Sequence, residues 1–145
     1  MKILYTAEAS VQGGREGEAR SSDGRLAVKL SVPKEMGGSG GEGTNPEQLF
    51  AAGYAACFQS ALMLAARRQR VDASASTVTA KVAVSPNGEG GFGLEVELHV
   101  FIPDVDQETG ERLVELTHRV CPYSNATRGN IPVRLYFEEQ PLAIS

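Results

Sequence analysis

The chain has 145 residues, 41% of them hydrophobic and 22% charged, which suits one domain with its own core and excludes wholesale disorder. Its 14 basic and 18 acidic side chains leave a formal charge of −4, so it lacks the cationic footprint of a nucleic-acid binder. The largely uncharged runs 48–67 and 71–80 are broken by Gly, Gln, Ser or Thr and are not read as membrane spans, and Met1-Lys2-Ile3-Leu4-Tyr5-Thr6 turns polar too soon for a signal peptide. A cytoplasmic protein with no nucleic-acid or membrane partner is expected.

In chain order, residues 1–32 predict three short strands. Ile3, Tyr5 and Ala7 alternate in the first (2–11), Gln12-Gly13-Gly14 reads as a turn, and Ser22-Asp23-Gly24 opens a hairpin that continues through Leu26, Val28, Leu30 and Val32. A glycine-rich flexible loop follows at 37–43. Asn45 as N-cap, Pro46 at the first helical position and Glu47 facing the positive end of the dipole then start a helix reaching Arg70, with Arg67, Arg68 and Arg70 in its last turn. Alternating Val78, Ala80, Val82 and Val84 predict a strand over 74–85. A turn from Pro86-Asn87-Gly88 to Gly91 joins it to a partner strand, 92–102, with Phe92, Leu94, Val96 and Leu98. Leu113, Leu116, Thr117 and Val120 predict a second helix over 104–120. Pro122, Asn125, Gly129 and Pro132 punctuate a loop or short helical turn before a last strand, 133–137. The order βββ-α-ββ-α-β describes a single α+β domain over 1–145, with no internal repeat.

The long helix is the expected core element. Leu49, Phe50, Gly53, Ser60, Ala61 and Leu64 share a face with Cys57, so Cys57 is expected to be mostly buried on an apolar stripe with small neighbours.

Two motifs are set aside. Gly38-Ser39-Gly40-Gly41-Glu42-Gly43 spells a dinucleotide-type G-x-G-x-x-G, but the helix starts after its last glycine and no acidic residue lies in 59–68. Cys57, His99, His118 and Cys121 nominally supply a zinc set, yet they come from two helices and a strand without a short paired spacing, so no metal is expected.

Cys57 and Cys121 are the only cysteines. In a reducing compartment such a pair is either packed as small hydrophobes or used chemically. Their surroundings decide. The run Thr44-Asn45-Pro46-Glu47-Gln48-Leu49-Phe50-Ala51-Ala52-Gly53-Tyr54-Ala55-Ala56-Cys57-Phe58 and the run from Cys121-Pro122-Tyr123-Ser124 to Asn130 resemble the organic hydroperoxide resistance proteins of the OsmC-like superfamily. Gly13-Gly14-Arg15 and the segment from Gly90 to Leu98 agree as well.

The resemblance implies an OsmC-like fold and a thiol-dependent peroxidase acting as an interlocked, intertwined homodimer, with two active sites at the subunit interface. Cys57 would be the peroxidatic cysteine and Cys121 the resolving one, while Arg15 and Glu47 match the family's catalytic arginine and glutamate. The substrates implied are alkyl and fatty-acid hydroperoxides. The co-substrate is a dithiol of the lipoamide type, as on a lipoylated protein, with no resident cofactor. Residues 138–145 lie outside the matched motifs.

Read without the resemblance, Arg15 is a solvated turn residue and Glu47 an acid complementing the helix dipole. With it, the guanidinium offsets the cost of a buried thiolate and stabilises the leaving alkoxide, and Glu47 fixes the guanidinium by a bidentate pair. Phe50, Met63, Phe92 and Phe101 are either core residues or the lining of an alkyl pocket. Glu47 and Cys57 are ten residues apart on one helix, roughly 15 Å along its axis. Two such helices packed antiparallel in a dimer would therefore build a composite site with a cross-subunit carboxylate. The alternatives to an enzyme are a peroxide-sensing redox switch or binding module without turnover, and a structural domain with inert thiols.

Overall fold

The computed structural model describes residues 1–143, and among these the chain forms seven strands and three α-helices. The last two positions of the expected domain 1–145, and of the stretch 138–145, lie outside the described residues. The chain divides into two units, Met1–Leu49 and Phe50–Ser145.

In the first unit, β1 (Ala9–Gln12), β2 (Glu18–Ser21) and β3 (Ala27–Lys29) form an antiparallel meander. Ala9 pairs with Ser21 and Gln12 with Glu18, which brings β1 back through a five-residue turn. The Asp23 carboxylate accepts from Ser21 Oγ and the Arg25 amide, while Gly24 adopts φ 76°, closing the expected β2–β3 hairpin. The first strand is shorter than expected. Among the described residues, 2–7 have no strand neighbour, Glu8 only accepts the Ser22 amide, and Ile3 and Leu4 are 77% and 96% exposed, so the alternation there buries nothing within one chain.

Helix α1 spans Pro46–Arg68. Its start is as read: the Gln48 amide donates to Asn45 Oδ1 at 2.8 Å. Its end falls two residues short of Arg70, which instead takes φ 59°. The Arg70 amide donates to the Arg67 carbonyl and the Val71 amide to that of Ala66, a Schellman ending built on arginine rather than glycine. By length and composition alone α1 is apolar enough to cross a membrane, because Ala and Leu outweigh its scattered polar residues. The helix buries Tyr54, Phe58, Leu62 and Ala66, one stripe at four-residue spacing, in the core of the second unit.

That unit carries the sheet β4 (Thr77–Pro86), β5 (Phe92–Phe101), β6 (Val133–Phe137) and β7 (Gln140–Pro141) in spatial order. The β4–β5 hairpin is in register from Thr77↔Phe101 to Pro86↔Phe92, and Asn87 Oδ1 accepts the Glu89 and Gly91 amides in its turn. The β5–β6 pair is parallel, so the chain crosses over between them through α2 (Gln107–Val120) and α3 (Pro122–Thr127). Val96, Leu98, Val100, Leu135 and Phe137 meet Leu113 and Val114 of α2 and the buried stripe of α1. Of the expected loop or short helical turn after Cys121, the chain forms the helical one, and β7 is an addition. The β6–β7 turn places Glu138 and Glu139 at φ 49° and 68°, a conformation that usually calls for Gly or Asn and so carries no sequence signal here.

Candidate active site

Two groups of predicted site residues are assembled, one in each unit. In the first, Arg15 projects from a single 3₁₀ turn, Gly14–Glu16, between β1 and β2. Gly13 and Gly14 have φ 86° and 57°, the left-handed region that glycine occupies without strain. Gly17 is required for a different reason: a Cβ there would lie 1.6 Å from the Gln12 carbonyl oxygen. The three glycines hold Arg15 at the tip of the turn. Its Nη1 and Nη2 donate to Glu47 Oε1 and Oε2 at 2.7 and 2.8 Å, a bidentate pair.

Glu47 is supplied by the first turn of α1 behind the Asn45 cap. Its side chain is 14% exposed against 38% for Arg15, so the carboxylate is the more enclosed partner. The hydrogen bonds from Arg15 hold its carboxyl below the ordinary carboxylate range, and the same bonds push Arg15 further up. Both remain charged at any physiological pH.

In the second unit Cys57, on α1, and Cys121, between α2 and α3, are both free thiols. Cys121 is fully buried and its thiol points at Cys57 Sγ, 3.8 Å away. The sulfurs are in van der Waals contact. A disulfide of about 2.05 Å would need only a short approach. Cys57 is mostly buried, as expected, but keeps some exposure, because the core stripe of α1 runs through Tyr54 and Phe58 and leaves Cys57 at its margin. Burial nevertheless pushes its thiol up, partly countered by a hydrogen bond from the Tyr123 backbone, and the neighbouring Cys121 adds to the rise.

An aromatic flank adjoins this pair. Phe50 meets Tyr54 and Tyr123 edge-on at 6.2 Å, and Tyr123 lies against Gly53, where a Cβ would stand 2.8 Å from the phenol oxygen. Of the other aromatic candidates, Phe92 and Phe101 are exposed on β5: Phe101 is on the face opposite Val96, Leu98 and Val100, and Phe92, on their face, stands at the turn end of the hairpin beside Pro86. Met63 packs against the core.

The nominal zinc set is scattered. His99 lies between Glu97 (2.8 Å) and Glu139 (3.2 Å) and stacks on Tyr136, whereas His118 bonds Ser124. Among the described residues no group of three or more His, Cys, Asp or Glu side chains is arranged for a metal. The loop 37–43 precedes α1 by two residues, and its Gly43 amide donates to Ser31 Oγ. Sequence reasoning missed the polar residues behind the thiols, Tyr54, Ser124 and Thr127. Their only signal is the spacing of each from a cysteine.

The chain matches the OsmC-like protein family over residues 38–136, a range that includes Glu47, Cys57 and Cys121. It is 52% identical over 135 residues to an organic hydroperoxide resistance protein of Xanthomonas axonopodis pv. citri, covering 92% of this chain and 94% of that one. The crystal structure of an organic hydroperoxide resistance protein from Elizabethkingia anophelis superposes with a TM-score of 0.89 at 51% identity, covering 94% of this chain and 98% of that one. OhrB of Bacillus subtilis does so with a TM-score of 0.86 at 42% identity, covering 94% and 100%. This chain belongs to the OsmC-like protein family, among the organic hydroperoxide resistance proteins.

Proposed function

We propose that the protein acts in organic hydroperoxide resistance as a thiol-dependent peroxidase. The observation that carries the reading is the 3.8 Å separation of two reduced sulfurs, one partly exposed and one sealed. The Cys57 thiolate attacks the terminal peroxide oxygen, the O–O bond breaks, and the alkoxide leaves to take up a proton as an alcohol. Cys57 becomes a sulfenic acid, and attack by the Cys121 sulfur forms the Cys57–Cys121 disulfide and releases water. A dithiol co-substrate of the dihydrolipoamide type, free or on a lipoylated protein, restores both thiols by exchange. No resident cofactor or metal takes part.

Since burial disfavours the Cys57 thiolate, the reaction needs a cation at the sulfur. Arg15, fixed in plane by Glu47, is the group suited to it, offering permanent charge and donors for the departing oxygen. The helix spacing of Glu47 and Cys57 supports a homodimer in which the Arg15–Glu47 pair serves Cys57 of the partner subunit. The aromatic flank of Phe50 and Tyr123 suits an alkyl chain better than hydrogen peroxide. In this reading the enzyme works in the cytoplasm.

The test is consumption of tert-butyl hydroperoxide with dihydrolipoamide by wild type, Cys57→Ser and Cys121→Ser. Many equivalents consumed by wild type, and none by Cys57→Ser, support the peroxidase. A single equivalent per chain indicates a redox switch instead. Activity that survives unchanged at dilutions where the dimer dissociates would sink the composite site.

A further inference from the structure

Behind the two thiols lies a buried polar cluster that the steps above leave unused. Tyr54 Oη stands 2.8 Å from Ser124 Oγ and 3.0 Å from Thr127 Oγ1, and His118 Nδ1 stands 2.8 Å from the same Ser124 Oγ. All four residues are buried. Tyr54 precedes Cys57 by one helical turn on α1. His118 precedes Cys121 by one turn on α2, and Ser124 follows it by one turn on α3. The Ser124 hydroxyl thus joins the three turns that carry the sulfurs. Arg128 adds an outer tie, donating to the His118 carbonyl at 2.8 Å.

Buried hydroxyls add little net stability over apolar groups of the same shape, but a connected network fixes one arrangement of the elements it joins. We infer that Tyr54, Ser124 and His118 are positioning residues that hold Cys121 Sγ against Cys57 Sγ, so that disulfide closure outruns a second oxidation. The inference rests on the peroxidase reading. Two fates compete for the Cys57 sulfenic acid. In closure, the S–S bond forms, the S–O bond breaks, and hydroxide leaves with the Cys121 proton as water. In over-oxidation, the sulfenic acid takes an oxygen from a second hydroperoxide, giving a sulfinic acid and a second alcohol. Only closure depends on where α3 holds Cys121. A misplacement of about 1 Å lowers such a step by as much as ~100-fold.

The experiment compares wild type, Tyr54→Phe, Ser124→Ala and the control Thr117→Val. The Thr117 hydroxyl is also buried but donates to its own helix, at Leu113 O (2.7 Å). Reduced full-length protein is mixed with tert-butyl hydroperoxide without reductant. Sulfenic acid formation is followed by stopped flow, and the disulfide-to-sulfinic ratio by intact mass. The expected result is an unchanged first step in all four proteins. Closure falls about tenfold in Tyr54→Phe and Ser124→Ala, with a matching rise in sulfinic acid, and Thr117→Val partitions like wild type. Combining the two changes adds little to either alone, because they break one network. A wild-type ratio in Tyr54→Phe, which removes one oxygen and keeps the ring, overturns the inference. So does an equal fall in Thr117→Val. If wild type forms no sulfenic acid, the peroxidase reading fails first and takes the inference with it.

Discussion

Arg15 and Glu47 meet through two parallel hydrogen bonds of 2.7 and 2.8 Å although they are 32 residues apart. A lysine keeps the charge of Arg15 but gives up the two-point contact, and a glutamine keeps the shape of Glu47 but gives up the charge. Arg15→Lys is expected to lower kcat/KM for an organic hydroperoxide on the order of 100-fold, and Glu47→Gln on the order of tenfold. Circular dichroism should show both variants folded.

The same pair has an acid signature. Glu47 is held below the ordinary carboxylate range, so its contribution to stability is present above that range and is lost as pH falls through the lowered value. Arg15 is more than one-third exposed, which keeps the contribution small. Urea midpoints of wild type and Glu47→Gln should differ modestly at neutral pH and converge at the acid end. A difference that grows on acidification would contradict the pairing.

The thiols should be distinguishable by alkylation. Iodoacetamide is expected to label partly exposed Cys57 in the native protein and to spare fully buried Cys121 until urea unfolds the chain. With the Cys57 thiol pushed up by burial, labelling of the dissociated single chain should accelerate from pH 7 through pH 9 without levelling off. A plateau near neutral pH at concentrations that favour the dimer, read by peptide mass spectrometry, would show that a cation there stabilises the thiolate.

Gly17→Ala tests the turn beneath Arg15. Its Cβ would strike the Gln12 carbonyl, a backbone atom with no flexible end to yield, so the turn must open. Peroxide consumption should fall as far as in Arg15→Lys, while Cys57 and Cys121 keep their alkylation pattern.

Gly110→Ala is the stability counterpart. The added methyl would lie 2.2 Å from the ring of Phe137, which is fully buried and has nowhere to move. A loss of about 3 kcal/mol is expected in urea unfolding. Gly24→Ala is a milder reference, with open space at its Cβ and only the cost of φ 76°.

Elements with local signals were legible in the sequence. Asn45-Pro46 starts α1 where its chemistry says, and β6 occupies the residues read for it. The boundaries that shifted depend on tertiary context. Residues 2–7 alternate as a strand should, but no partner strand among the described residues runs beside them. Arg70 ends α1 through a backbone conformation its side chain does not announce, and Glu138-Glu139 turns the chain without glycine.

At the site, the identities of Cys57, Cys121, Arg15 and Glu47 came from the resemblance of motifs. Their neighbours came from the fold alone. Periodicity counted from Cys57 picked its own stripe as the buried one, whereas the large side chains Tyr54, Phe58 and Leu62 decide which face of the helix turns inward. Ser124 and Thr127 carry no role in the sequence reading, and the short helix α3 aims both at Tyr54.

The parallel pairing of β5 with β6 places Cys121 inside the crossover that joins them. Its sulfur reaches Cys57, 64 residues away, by way of that strand pairing and not through local chain. Closing so long a loop in an unfolded chain is entropically unfavourable. A nascent or heat-unfolded molecule therefore carries two independent thiols of ordinary reactivity. Oxidation of such a chain at Cys57 would run on to the irreversible acid, marking it off chemically from molecules that completed folding.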